Sequence, residues 1–165
     1  MAASINLSLV ACSLGIAETA RDLAVEMATR PKGPKDKKLA DRIPIQQLIA
    51  EIEIDLAAGR AVLERAAHFV DEHFSTYPPG LAPEAEGFEM LKQHQMMKWT
   101  LQRNAINIVD KAMTTVGGSS YMSKSPFSRL YRDVRAQPFM QPFAPYEALE
   151  YIGKVTLGVD PQLDR

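Results

Sequence analysis

At 165 residues the chain has the length of one ordinary domain, enough to bury about two-thirds of the surface that its unfolded form exposes. Hydrophobic and charged fractions of 46% and 24% exclude a disordered chain, and nineteen basic against twenty acidic side chains exclude a basic nucleic-acid module, which needs clustered surplus cations. One cysteine excludes an intrachain disulfide framework and any cysteine-based metal cage, and no apolar run approaches the roughly 20 residues that span a bilayer.

Few aromatics and abundant Ala, Leu and Met make a helix-rich composition. The first helix is predicted from Ser4, its N-cap, to about Met27, because Leu7, Val10, Leu14, Ala17, Ala20, Ala24 and Met27 recur at steps of three and four. Within it, Leu9-Val10-Ala11-Cys12 mimics a lipoprotein cleavage site. No Lys or Arg precedes Arg21, however, and Asn6 interrupts the apolar run, so the reading is a cytoplasmic chain with a buried, reduced Cys12. Arg30-Pro31 and Gly33-Pro34 end the helix. The loop that follows carries Arg30, Lys32, Lys35, Lys37, Lys38 and Arg42 against Asp36 and Asp41; it reads as a solvated loop, with a landing patch for cofactor phosphates as the functional alternative.

A second helix is predicted from Asp41 or Pro44, with Ile45, Ile49, Ile52, Leu56, Leu63, Ala66 and Val70 on one stripe. It stops before the prolines of STYPPGLAP, which makes the first two helices antiparallel neighbours or joins them by a longer crossing. The third runs from Glu84 to Val116, its inner face marked by Met97, Leu101, Ala105, Ile108, Ala112 and Val116, and Gly117-Gly118 stops it. Ser125-Pro126 opens a short helix through Arg135. Prolines 138, 142 and 145 bar regular helix across QPFMQPFAP, and a last helix runs from Tyr146 to Leu157. Long amphipathic helices must bury their stripes against one another. The expected fold is all-α, an up-and-down four-helix bundle with a short additional C-terminal helix, residues 1–165 forming a single helical domain.

Little in this bundle does chemistry by itself. A di-iron site needs Glu three residues before His on two helices, and Arg65, Val70 and Leu91 stand there before His68, His73 and His94, so no metal site is assigned. Cys12 has no histidine near it in sequence, no Gly-x-Ser-x-Gly elbow occurs, and Gly117-Gly118 alone is a weak phosphate-loop signal. The C-terminal third is more specific. After Gly117-Gly118 come Tyr121, Phe127 and the arginines Arg129, Arg132 and Arg135 at every third residue, with Asp133 beside them; such arginines suit fixed ion pairs at a domain or subunit contact.

That segment resembles the C-terminal helical domain of the acyl-CoA dehydrogenase family, in which a helix ends in Gly-Gly, an aromatic follows, and a short helix reads roughly Leu-x-Arg-x-x-Arg-Asp. LSLVACSLGIAETARDLAVEMATR looks like the first helix of that domain, IPIQQLIAEIEIDLAAGRAVL like its second, and YEALEYIGKVTLGVDP like the tail of one subgroup. The resemblance implies an FAD flavoprotein oxidising acyl-CoA thioesters, with the flavin held between a β-domain and this bundle. The N-terminal and β-domains of the family are absent from these 165 residues, so the chain alone is expected neither to hold FAD nor to turn over substrate. It further implies a homo-oligomer, dimer or tetramer, with Arg30 reaching the neighbour's FAD and Gly117 and Gly118 close to the adenylate half. The phenylalanine-glycine pair expected after the arginine is replaced by Pro31-Lys32-Gly33, and Thr114 stands where a glutamine often precedes the glycines.

The family's base, a Glu about eight residues after the Arg-Asp pair, falls here on Gln141, and an amide is far too weakly basic to take an α-proton. No catalytic residue is therefore assigned. Glu18 is the local candidate where other branches place the base on the first helix, and Glu147 and Glu150 lie on the last helix. The flavin monooxygenase branch needs no such base. A stand-alone, non-catalytic bundle acting as partner subunit or scaffold is the reading from a different class; it too would self-associate or bind a partner to hide its apolar faces.

Overall fold

A computed structural model of the protein describes residues 7–31, 37–78, 80–140 and 143–162. Five α-helices, α1 (Leu7–Thr29), α2 (Ile43–Thr76), α3 (Glu84–Val116), α4 (Pro126–Ala136) and α5 (Pro145–Leu157), make up the chain, with short 3₁₀ turns in every connection but that of α2 to α3, and there is no strand among the described residues. Each boundary has a local cause. Pro44, Pro126 and Pro145 sit in the first turns of α2, α4 and α5, where their missing N–H costs nothing. Gly117 ends α3 at φ +82°, a conformation that side chains with a Cβ rarely adopt. The Ser4 cap lies outside the described residues.

The core is one stripe from each long helix. Val10, Leu14, Ala17, Ala20 and Ala24 of α1 meet Ile52 and Leu56 of α2 and the predicted inner face of α3, with Phe127, Leu130 and Val134 of α4 closing one side. Val70, at the far end of the α2 stripe, is only half-buried. Cys12 corrects its expectation: it is exposed, because it falls between the turns that bury Val10, Ser13 and Leu14. No helix of the described residues is long and apolar enough to cross a membrane.

Ion pairs report the helix directions. Arg21 of α1 pairs with Glu53 of α2, and Arg60 Nη2 lies 2.6 Å from Glu18 Oε1, so α1 and α2 are antiparallel. Lys111 of α3 reaches Glu51 at 3.0 Å and Asp55 at 2.9 Å, its ammonium held above its ordinary pKa chiefly by the Asp55 hydrogen bond. Such partly exposed pairs contribute at most about 1 kcal/mol each. Burial of a single leucine in the stripe contributes roughly 1.5–3 kcal/mol, so packing decides the fold and the ion pairs select its register.

The three long helices meet most closely at Gly59. A Cβ there would lie 3.2 Å from Leu101 Cδ2 and 3.3 Å from Leu14 Cδ1. Leu14 and Leu101 are thus level with each other, and Leu7 likewise borders a cleft with Met90 and Met97, so α1 and α3 run parallel.

The fourth leg of the bundle is broken in two. α4 starts beside the end of α3, where Ser120 Oγ donates to Met113 O at 3.1 Å, and ends where Gln102 Nε2 donates to Gln137 O at 3.0 Å. α5 continues in the same direction, from Phe143 beside Lys98 to Tyr151, whose hydroxyl donates to Phe88 O at 3.3 Å. A small second core of Phe143, Ala148 and Tyr151 with Leu91 and Val155 attaches α5 to the lower half of α3. The additional C-terminal helix is therefore the lower half of the fourth leg.

Gly59→Leu is expected to destabilise the bundle by roughly 1–3 kcal/mol through overpacking. Gly59→Ala is expected to stay within about 1 kcal/mol of the parent, because better helix propensity offsets two tight contacts with mobile leucine tips. Urea denaturation followed by circular dichroism distinguishes the two.

Candidate functional site

Parallel α1 and α3 bring their C-termini to one end of the bundle. From the level of Leu14 and Leu101, α1 continues to Thr29 and α3 to Val116 over equal numbers of residues. Arg30 and the Gly117-Gly118 pair, the three residues expected at a cofactor, therefore lie at the same end. All three are exposed. Arg30 pairs with Glu26 one turn back on α1, and none of the described residues lies within 4 Å of where a Cβ would stand on either glycine. This is a bare backbone ledge at the same end as a surface guanidinium, a surface that a cofactor edge can approach but not a chamber that encloses one. Lys32 and Lys35 of the basic loop lie outside the described residues. Lys37, Lys38 and Arg42 are exposed, and Lys38 N–H donates to Asp41 Oδ2 at 3.0 Å in the turn before α2.

The candidate bases are disposed differently. Gln141 lies outside the described residues. Glu18 Oε1 accepts from both Nε and Nη2 of Arg60, at 2.9 and 2.6 Å, which makes it a strut between α1 and α2. Glu147 accepts from Ala144 N–H at 2.7 Å as the cap of α5, and Glu150 pairs with Lys154 at 2.7 Å. Of the three regularly spaced arginines, Arg129 is 3.9 Å from Asp133 within its own exposed turn, and among the described residues Arg132 and Arg135 have no carboxylate within ion-pair distance. Glu64 and His68 approach at 3.9 Å, and no group of three metal-ligating side chains converges among the described residues.

Sequence reasoning missed the polar interior of α3. Lys98 is 3% exposed, and its ammonium donates to Phe143 O at 2.7 Å and to Met140 O. With Gln102 on Gln137 O, two α3 side chains hold three carbonyls of the proline-rich connection between α4 and α5, the connection that carries position 141. Burial lowers the pKa of Lys98 while the nearby Glu147 carboxylate opposes the shift. The signal was present as a Lys98–Gln102 step on a second face of α3. The apolar stripe beside it masked it, because a lysine there reads as solvated until a partner is seen.

His94, also on α3, is 5% exposed and lines an apolar cleft of about 110 Å³ with Val62, Phe69, Met90 and Met97. Desolvation, aided by the positive charge of Lys98, lowers its pKa to about 4. The unfolded chain takes up this proton near pH 6.5 and the folded chain only near pH 4. The folded state is therefore at full stability above about pH 6.5 and loses it as pH falls toward 4.

Over that interval roughly 3 kcal/mol of stability is expected to be lost, at about 1.4 kcal/mol per pH unit between the two pKa values. His94→Leu is expected to flatten this acid limb in urea denaturation series at pH 7 and pH 4.5. Lys98→Met removes the ammonium that donates to the Met140 and Phe143 carbonyls. It is expected to cost about 1–3 kcal/mol and to speed amide exchange selectively across 143–151, read by hydrogen–deuterium exchange.

The sequence profile of "Acyl-CoA dehydrogenase, C-terminal domain" matches residues 6–141. L-evernosamine nitrososynthase of a Micromonospora species is 31% identical over 159 residues, 96% of this chain and 36% of that protein. Acryloyl-CoA reductase (NADH) of Anaerotignum propionicum is 30% identical over 146 residues, 88% of this chain and 32% of that protein. Among solved structures, KijD3 in complex with FMN and dTDP-3-amino-2,3,6-trideoxy-4-keto-3-methyl-D-glucose superposes with a TM-score of 0.81 at 32% identity, covering 93% of this chain and 36% of that one. The chain thus spans about a third of the length of the relatives it matches. With the match running through every helix from α1 to α4 and the fold agreeing over nearly all of the chain, the protein belongs to the acyl-CoA dehydrogenase family, as its C-terminal helical domain.

Proposed function

We propose that this bundle is the flavin-facing and oligomerising wall of a longer flavoenzyme, with Arg30, Gly117 and Gly118 contacting the cofactor. The observation that carries the reading is the convergence of these three residues on one open end of the bundle. The residues fit such a role: the glycines leave backbone bare where a Cβ would stand, and Arg30 offers a charged fork at the surface. FAD is the sequence expectation, and FMN is the flavin in the KijD3 structure. A bound flavin would supply the two-electron redox chemistry. This chain's residues would orient one edge of it and exclude water from that side. The exposed Tyr121, Phe139, Tyr146 and Leu149 support a second surface, from another domain or subunit, over the α4–α5 side.

Between an acyl-CoA dehydrogenase and a monooxygenase, Gln141 favours the monooxygenase, since it removes the one group an α-proton abstraction needs at that position. The nitrososynthase likeness across nearly the whole bundle favours the same side, and with it an amine-bearing sugar nucleotide as substrate class. Acyl-CoA oxidation stays the alternative, with its base supplied from elsewhere.

In the flavoenzyme carrying this bundle, Arg30→Ala is expected to weaken flavin retention about tenfold, the loss of one charge-assisted hydrogen bond, as measured by flavin release on dilution. Unchanged retention removes Arg30 from the site. Under anaerobic conditions an acyl-CoA thioester is expected not to bleach the flavin of that enzyme; bleaching would restore the dehydrogenase reading.

A further inference from the structure

The cleft that His94 lines is formed by the start of α1, the second half of α2 and the first half of α3. It has a volume of about 110 Å³, and Leu7, Val62, Phe69, Met90 and Met97 are among its lining residues. Met96 also lines it and is exposed, so the cleft reaches the surface. An apolar cavity of about 150 Å³ takes up benzene. A cleft of this size, open on one side, has room for one small ring or branched chain.

Most polar groups of the lining already have a role. Gln93 Nε2 donates to Glu89 Oε1 at 2.7 Å, and Thr100 Oγ1 donates to Met96 O at 2.9 Å. Arg65 is the one charged group apart from the histidine, it is exposed, and no lining residue is acidic. His94 differs from all of these. It is 5% exposed, and its Nδ1 is buried with no hydrogen-bond partner among the described residues. A buried nitrogen left unpaired is costly, and native structures nearly always satisfy one.

The chemistry of the lining selects what can satisfy it. Burial and the charge of Lys98 keep the imidazole neutral at neutral pH. A neutral imidazole has one N–H and one bare nitrogen, and a hydroxyl, which both donates and accepts, pairs with either. An ordered water needs about three polar partners, and the methionine, phenylalanine and valine side chains of the lining provide none. A cation would lose its hydration with no carboxylate to offset the loss, and an anion would have only the exposed Arg65.

We infer that this cleft binds a small neutral alcohol or phenol, its apolar body among the methionine, phenylalanine and valine side chains and its hydroxyl on the His94 imidazole. The inference stands apart from the flavin contact: His94 lies about 35 Å along α3 from Gly117, at 1.5 Å per residue. Loss of either assignment leaves the other in place.

The 165-residue chain is titrated at pH 7 with phenol, benzene and benzoate, following calorimetric heat and, independently, the imidazole nitrogen resonances of its three histidines. Phenol is expected to saturate in the millimolar range, at least fivefold more tightly than benzene or benzoate, and to shift the His94 resonances, which are assigned by their loss in His94→Leu. His94→Leu is expected to weaken phenol at least fivefold and to leave benzene unchanged. Ala66→Leu, which adds bulk to the lining at a half-buried position, is expected to weaken both at least tenfold with unchanged helical circular dichroism. No saturable phenol binding, or benzene binding as tightly as phenol, would overturn the assignment. So would benzoate binding more tightly than phenol, which moves recognition to Arg65. Unmoved His94 resonances at saturation, or wild-type phenol affinity in either variant, would overturn it as well.

Discussion

The close contact of Leu14, Gly59 and Leu101 governs the rest of the molecule. A glycine in α2 lets the leucines of α1 and α3 come together across it, with less than 3.5 Å to spare for any Cβ. That approach fixes α1 and α3 level and parallel, with α2 antiparallel to both. Everything at the ends of the helices inherits this register. Slide α1 by one turn, about 5.4 Å, and Arg30 no longer shares a level with the Gly117-Gly118 ledge. Site geometry here is a consequence of core packing some twenty or more ångströms away along the helices, as the rise of 1.5 Å per residue requires.

The second constraint is electrostatic and sits on the other side of α3. Three prolines in the α4–α5 connection forbid the helical hydrogen bonds that would otherwise satisfy its carbonyls. α3 supplies donors from Lys98 and Gln102, the latter to Gln137 O, which also accepts from Met140 N–H. Burying an ammonium costs several kcal/mol unless its charge is solvated by the protein, and carbonyl oxygens do that here. The broken fourth leg and the buried lysine therefore explain each other: the lysine anchors the connection beside Gln102, and the carbonyls of Met140 and Phe143 solvate its charge.

These two constraints give the bundle two differently built surfaces. The Arg30–Gly117 end is exposed, and it is the end we propose for the cofactor. The α3–α4–α5 cleft, about 320 Å³, is lined by Lys98, Gln102, Arg103 and Arg135 together with Ile106, Pro138, Phe143 and Ala148. The exposed Phe139, Tyr146 and Leu149 lie on that same α4–α5 side.

How much of this was legible beforehand follows from the physics of each signal. Helix existence and ends were readable because they are local: the stripe from Met97 to Val116 repeats at the helical period, Gly117 needs a positive φ, and Pro126 and Pro145 open their helices. Family membership was readable in the order of Gly117-Gly118, Phe127, Arg132 and Asp133. The burial of Lys98 and His94, the exposure of Cys12 and the role of Glu18 as a strut were not. Each depends on which face of a helix meets a neighbour, and for two of them on a partner more than forty residues away, Arg60 for Glu18 and the Met140 and Phe143 carbonyls for Lys98. The sequence alone determined the helices and their punctuation, because those obey interactions within a few residues. Only the tertiary structure decided which polar groups went inside and which surface arginines came to face one cleft, because desolvation and charge pairing are settled by neighbours that the chain brings from far along its length.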